Sequence, residues 1–227
     1  MAKLTIIATP IGNLRDITLR AIEALEQSDQ VLCEDTRSAH KLLRHFDIQK
    51  PLLSLYDQNE LSRLPQIEEL LNSGQNLALI SENGSPLISD PGYKIVRELI
   101  KKGYEIDSVP GPSSAINALV LSGLTPDKFV FLGFVPKKGS STKNLIELIK
   151  VIWQQTPTTI IFFDSPFRVW DNLKTFSESL QDPYVVIARE MTKIHQEIIR
   201  GRISALKVRK LKGELVVLLS PKDPFDY

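Results

Sequence analysis

Short runs of aliphatic and β-branched residues alternate, along the first half of the chain, with amphipathic stretches of helical period. Turn-forming residues separate them. This pattern predicts strands at 4–9, 31–34, 52–55, 77–81 and 105–109, with helices at 18–27, 36–46, 61–73, 93–102 and 113–121. A parallel neighbour needs a crossover of about a dozen residues or more, which each helix with its flanking turns supplies, so the alternation implies a mainly parallel sheet covered on both faces.

The texture changes after Ser122-Gly-Leu-Thr-Pro-Asp127, a turn-rich joint. Strands are predicted at 129–133, 159–163, 184–188, 197–200 and 214–219, the last three with no long helix between them, and helices at 142–154 and 167–179. Residues 135–142 read as a mobile basic loop. The expected fold class is therefore α/β in two domains: a parallel-sheet domain over 1–122 and a mixed-sheet domain over 123–227.

Composition narrows the function. Hydrophobic residues make up 42% and charged residues 24% of 227, which excludes disordered, collagenous and fibrous chains. A lone Cys33 excludes an internal disulfide and any thiolate zinc cluster, and its place at the end of an apolar strand predicts inert burial. His40 and His45 have the wrong spacing to share a metal, and His195 stands alone, so no metal is expected. The N-terminal apolar run stops at Pro10, too short for a signal or a span, and a reducing, cytoplasmic setting is expected. Residues 1–124 carry 12 basic and 16 acidic side chains, residues 125–227 carry 16 and 11, which hints at a polyanion facing the second half.

Three loops follow predicted strands and open helices: Thr9-Pro-Ile-Gly-Asn13, Ser81-Glu-Asn-Gly-Ser-Pro-Leu-Ile-Ser-Asp-Pro-Gly92, and Val109-Pro-Gly-Pro-Ser-Ser-Ala115. Ligands of α/β proteins bind at the carboxyl ends of parallel strands, where backbone groups are left unpaired. Small Gly and Ser residues let a ligand approach that backbone closely. No G-x-G-x-x-G or G-x-x-x-x-G-K-[ST] pattern occurs, and there is no G-x-S-x-G elbow. Asp90 is expected to cap the helix that follows. Three polar clusters complete the set: Glu34-Asp-Thr-Arg37, Asp164-Ser-Pro-Phe-Arg168 and Arg189-Glu-Met-Thr-Lys193. Charged groups beyond buried strands cost desolvation unless they meet one another or a polar ligand, so together they predict a polar cleft between the halves.

In order, ATPIGNLRDIT, CEDTR, SENGSPLISDPG, VPGPSSAINAL, FFDSPFR, AREMTK and KGELVVLL resemble the tetrapyrrole methylase superfamily over nearly the whole chain. Within it they are most similar to the members that methylate a cytidine ribose 2′-hydroxyl of small-subunit ribosomal RNA. The resemblance implies a two-domain homodimer with S-adenosylmethionine in a cleft between domains. It implies cofactor contacts at Pro10, Ile11 and Gly12, at Gly84, Ser85 and Ile88, at Ser113 and Ser114, and at Phe163, Ala188, Gly213 and Glu214. The chain departs from the usual S-D-A-G-T-P pattern of the RNA-modifying members at Glu82, Asn83 and Ser85, and it ends soon after the last strand where many members run on.

Methyl transfer from a sulfonium is an in-line displacement in which positive charge disappears, so alignment in a dry pocket does most of the work. A ribose hydroxyl is a weak acid, and a carboxylate or a lysine of lowered pKa beside the methyl group would take its proton. Glu190 and Lys193 are the candidates for that role, with Glu34, Asp35 and Arg37 positioning the substrate. The RNA or the 30S subunit would be held by Lys41 and Arg44, by Lys137, Lys138 and Arg168, and by Lys207, Arg209 and Lys210. Two other readings stay open: a carbon methyltransferase of corrin or porphyrin synthesis, and a non-catalytic cofactor- or RNA-binding module.

Overall fold

The computed structural model describes residues 2–137 and 139–225. The chain separates into two compact units, residues 1–113 and 114–227. The joint expected at 122/123 lies one helix further along than this division.

In the first unit, strands β1 (Lys3–Ile7), β2 (Gln30–Cys33), β3 (Leu52–Ser54), β4 (Leu77–Ile80) and β5 (Glu105–Val109) form one sheet in the order β3-β2-β4-β1-β5. Every pairing in it is parallel. Helices α1 (Leu19–Gln27), α2 (Thr36–His45), α3 (Glu60–Asn72) and α4 (Tyr93–Lys101) supply the crossovers. Burial on both faces explains why β4 reads Leu-Ala-Leu-Ile without alternation. Ala78 and Ile80 pack with Leu25 and Leu43 on one side, whereas Leu77 and Leu79 pack with Ile67, Ile95 and Leu99 on the other.

Two caps fix helix starts in this unit. Thr18 accepts from the Ala21 N–H (3.1 Å) and opens α1, and Asp35 accepts from the Arg37 N–H (2.7 Å) and opens α2. The start of α4 corrects the expectation for Asp90. Its N-cap is Gly92, in left-handed backbone with no side-chain cap of its own, and the orphan Gly92 and Lys94 N–H groups donate to the buried Glu60 carboxylate of α3 (2.9 and 3.0 Å). A partner 32 residues before Gly92 does the work of a local cap.

The second unit begins with α5 (Ser114–Ser122) and contains β6 (Phe129–Phe134), α6 (Gly139–Gln155), β7 (Thr159–Asp164), α7 (Val169–Ser179), β8 (Tyr184–Arg189), β9 (Glu197–Arg202) and β10 (Leu215–Ser220). Its sheet has the order β6-β7-β10-β8-β9; β6 and β7 are parallel, and the other three pairings are antiparallel. Phe162 and Phe176, with ring centroids 5.4 Å apart, centre a core that α6 and α7 complete over one face. Residues 135–142 are not wholly loop as expected, because α6 starts at Gly139.

Candidate active site

The three loops singled out in the sequence leave the carboxyl ends of β1, β4 and β5, which are neighbours in the sheet. Backbone hydrogen bonds tie the first two loops together: Thr9 N–H donates to the Gly84 carbonyl (2.8 Å) and Gly84 N–H to the Thr9 carbonyl (3.1 Å). The Ser81 hydroxyl donates to the Gly84 carbonyl (3.0 Å), and the Thr9 hydroxyl to the Ser81 carbonyl (3.2 Å). The third loop joins through the Ser85 hydroxyl, which donates to the Pro112 carbonyl (3.3 Å). Ala8 N–H reaches the Val109 carbonyl at 3.2 Å.

Glycine is required where the loops meet. Gly84 has φ of 80°, and a Cβ there would stand 3.0 Å from Ile11 Cγ2 and 3.5 Å from the Pro112 carbonyl oxygen. A Cβ on Gly111 would stand 3.0 Å from that of Ala8. The contact explains why Ile11 and Pro10 are buried, while Gly12 and Ile88 remain exposed at the rim. Ser113 closes the first unit and Ser114 opens α5 in the second, both partly exposed. Thr9 and Ser81, buried polar residues that knit the loops, were missed as site residues. Their signal was a hydroxyl as the last residue of an apolar run.

Acidic groups gather at the same sheet edge. Burial first, then the charges of Glu34, Glu82 and Asp57, push the Asp90 carboxyl up to about 6. Asp90 accepts no hydrogen bond and makes no ion pair among the described residues. The Glu34 carboxyl is raised too, by burial and then by Glu82, Asp57 and Asp35. Asp35 goes the other way: side-chain and then backbone hydrogen bonds from Arg37 hold it at about 2. That carboxylate therefore serves α2 and a surface pair in which Arg37 is 86% exposed. Sequence reasoning saw Glu34 and Asp35 but not the company of Asp57, Glu82 and Asp90, which depends on strand order.

In the second unit the expected residues form one row across the sheet. Phe163 of β7 and Ala188 of β8 both lie opposite Val216 of β10, and β10 follows directly on Gly213 and Glu214. Glu190, beyond the end of β8, has left-handed backbone (φ 49°). Its Oε1 accepts from the Glu214 N–H (2.9 Å) and from the Lys193 ammonium (3.0 Å), and Lys193 also reaches Glu214 Oε2 at 2.9 Å. A Cβ on Gly213 would fall 2.3 Å from Glu190 Cδ and Oε1, so glycine there makes room for the carboxylate. Burial pulls Lys193 down, but its bonds to Glu214 and Glu190 outweigh it and the net direction is up. For Glu190, burial raises the carboxyl, yet the Glu214 N–H and Lys193 bring it below the ordinary range. Of the two expected bases, a carboxylate or a lysine of lowered pKa, the lysine departs from expectation, because Lys193 sits between two carboxylates that raise it.

The expected RNA contacts divide into three places. Lys41 and Arg44 are exposed on α2, four and seven residues respectively beyond Arg37 on the same helix face. Lys137 is exposed, Lys138 lies outside the described residues, and the Arg168 guanidinium donates to the Pro136 and Val135 carbonyls (both 3.4 Å) with Asp164 at 3.7 Å. Lys207 and Lys210 are exposed on an irregular segment, whereas Arg209 is paired with Glu197. Cys33 is buried, and burial raises its thiol to about 11, an inert group. No group of three or more His, Cys, Asp or Glu that could hold a metal is found among the described residues, and no helix among them is long and apolar enough to cross a membrane.

The sequence model of the Tetrapyrrole (Corrin/Porphyrin) Methylases matches residues 3–207. The chain belongs to this family. A Thermotoga maritima protein named ribosomal RNA small subunit methyltransferase I is 43% identical over 98% of this chain and 100% of its own length. A Haemophilus influenzae protein of the same name is 40% identical over 98% of this chain and 80% of its own. Among solved structures, a diphthine synthase superposes with a TM-score of 0.76 at 18% identity, covering 96% of this chain and 90% of that one. A uroporphyrin-III-C-methyltransferase from Thermus thermophilus gives 0.63 at 17% identity, covering 96% and 94%. These two likenesses establish the tetrapyrrole methylase fold, in agreement with the two-sheet α/β architecture.

Proposed function

We propose that this protein is an S-adenosylmethionine-dependent methyltransferase of small-subunit ribosomal RNA, acting on a cytidine ribose 2′-hydroxyl. The observation that carries the proposal is the near-full-length identity of about 40% to relatives named ribosomal RNA small subunit methyltransferase I, and the cytidine 2′-hydroxyl is consistent with that name. The uroporphyrinoid enzyme shares only the fold, so the carbon-methylation reading has no comparable support.

The loops of the first unit fit a ligand with polar and apolar parts. Gly84 and Gly111 let the loops close on one another, Ser85 and Ser113 offer hydroxyls, and Ile88 offers an exposed apolar surface. These loops would hold the donor, with Ser114, Phe163, Ala188, Gly213 and Glu214 assigned through the family resemblance. S-adenosylmethionine supplies the methyl group on a sulfonium. The chain's own residues then orient the two reactants, exclude water and accept a proton.

For the proton, Lys193 and Asp90 add to the part expected of Glu190. Lys193, held protonated by Glu190 and Glu214, suits the stabilisation of developing negative charge on the ribose oxygen. Asp90, a half-buried carboxyl with no hydrogen bond among the described residues and a pKa of about 6, suits proton removal near neutrality. Glu34 and Arg37 remain assigned to substrate positioning. A homodimer, and action in the cytoplasm on the RNA or the 30S subunit, belong to the same proposal.

The test is transfer of label from methyl-tritiated S-adenosylmethionine to unmodified 30S subunits, followed by alkaline hydrolysis. A ribose methyl blocks cleavage, so label in an alkali-resistant dinucleotide is the expected result. Donor binding without any transfer to RNA would refute the reading.

A further inference from the structure

The edge strand β6 and the turn after β7 in the second unit present aromatic surface where solvent should favour polar groups. Phe134 is 58% exposed and Phe167 88% exposed. A bulge creates the first of these. Phe131 pairs with Ile161 and Phe134 with Phe163, so three steps along β6 match two along β7. With one extra residue, at a Gly133 of positive φ, Phe134 falls on the same side as Phe131 instead of the opposite one. Both rings then pack edge-on against Phe163, at centroid distances of 4.9 Å for Phe131 and 5.3 Å for Phe134. The strand thus holds a ring in place by one edge and leaves much of its surface open.

Cations flank this ring along the chain. From Lys128 to Asn144 the chain carries Lys128, Lys137, Lys138 and Lys143 and no acidic residue. The guanidinium of Arg168 is held by the Val135 and Pro136 carbonyls, the two residues directly after Phe134. The nearby acid, Asp164, is 5% exposed, lies 3.7 Å from that guanidinium, and accepts closer hydrogen bonds from Asn172 and the Ser165 N–H. A fixed aromatic face beside phosphate-binding charges is the combination by which proteins hold unpaired nucleotides. A purely apolar protein partner would have to desolvate those lysines and the arginine without compensation.

We infer that Phe134, with Phe167 beside Arg168, stacks an unpaired base of the RNA substrate while Lys137 and Arg168 take the adjoining phosphates. The inference rests on the proposed RNA-methylation reading and adds how the substrate strand is gripped. It gives Phe134 a positioning role separate from donor binding.

Filter binding to an unmodified small-subunit ribosomal RNA transcript, beside calorimetric titration with S-adenosylmethionine, tests it. Loss of one stacked ring weakens RNA affinity by about 5- to 150-fold, so Phe134→Ala should bind RNA more weakly and raise the KM for RNA in that range, with kcat at saturating RNA and donor affinity unchanged. Phe134→Trp should restore binding, and Phe225→Ala, which removes another exposed phenylalanine whose ring lies against Tyr184, should have no effect. Unchanged RNA affinity and KM in Phe134→Ala, with wild-type methylation intact, would overturn the stacking inference alone. Loss of donor affinity instead would also overturn it, by giving the ring to the adenosine. A wild-type protein that neither binds nor methylates RNA would overturn the inference together with the reading beneath it.

Discussion

Gly84→Ala probes the junction of the three loops, and a second glycine gives its control. Gly84 has φ of 80°, and a Cβ would meet Ile11 Cγ2 at 3.0 Å and the Pro112 carbonyl at 3.5 Å; Gly74 has φ of 90° with nothing within 4 Å. Both alanine variants incur the left-handed backbone penalty, about 1–2 kcal/mol. Only Gly84→Ala must also push back the buried Ile11, and overpacking of that kind costs about 1–3 kcal/mol. The expected loss is therefore about 2–5 kcal/mol against 1–2, and at about 2–4 °C per kcal/mol for a chain of this size the melting temperatures should differ by roughly 2–12 °C. Because the displaced atoms belong to the proposed donor cradle, calorimetry should show at least about a tenfold loss of S-adenosylmethionine affinity in Gly84→Ala and none in Gly74→Ala, a movement of 1.4 kcal/mol or more. Equal melting temperatures and equal donor affinities for the two variants would refute the reasoning, because the loop contact would then carry no energy.

Removing the carboxylate in Glu60→Ala orphans two N–H groups at the start of α4, and chemical denaturation should show a loss of about 1–3 kcal/mol per unsatisfied group; a loss under 0.5 kcal/mol would remove Glu60 from the cap. The Asp90 carboxyl, raised to about 6 when folded, makes the folded state the better proton binder from about pH 4 upward, so its contribution to stability falls as pH rises to about 6 and is flat above. Asp90→Asn should accordingly gain stability relative to wild type across that window, and its methylation rate should lose the acid limb of the pH profile; parallel stability curves would count against the raised pKa. Lys193→Ala and Glu190→Gln should each slow single-turnover methylation by about 10- to 1000-fold, and unchanged rates in both would remove the pair from the mechanism. RNA affinity should fall steeply with salt, with the slope shallower by about 1 in Lys210→Ala but hardly altered in Arg209→Ala, because Arg209 is already paired with Glu197.

Local patterns carried the elements, and non-local geometry decided much of the chemistry. The uninterrupted apolar run of β4 announced a strand buried on both faces, and the buried Cys33 followed from the same logic. Asp90 looked like a cap because capping is usually local, but the donors of α4 found Glu60 instead, a choice that depends on α3 lying beside α4. The Thr9–Gly84 pairing could not be read from either loop, since it requires β1 to sit between β4 and β5. Gly-Ser-Ser-Thr at 139–142 suggested a loop because these are weak helix formers, yet the residues behind them bury Ile146 and Ile149 and carry α6 back to Gly139. Lys193 looked free to act as a base until Glu190, through the space left by Gly213, and Glu214 closed around it.

Amide hydrogen exchange of the whole chain, with and without S-adenosylhomocysteine, asks most directly whether these strand-end bends receive the donor. Slowed exchange concentrated in peptides covering 8–14, 81–92 and 109–114 is the predicted result. Binding with protection confined elsewhere would contradict the account.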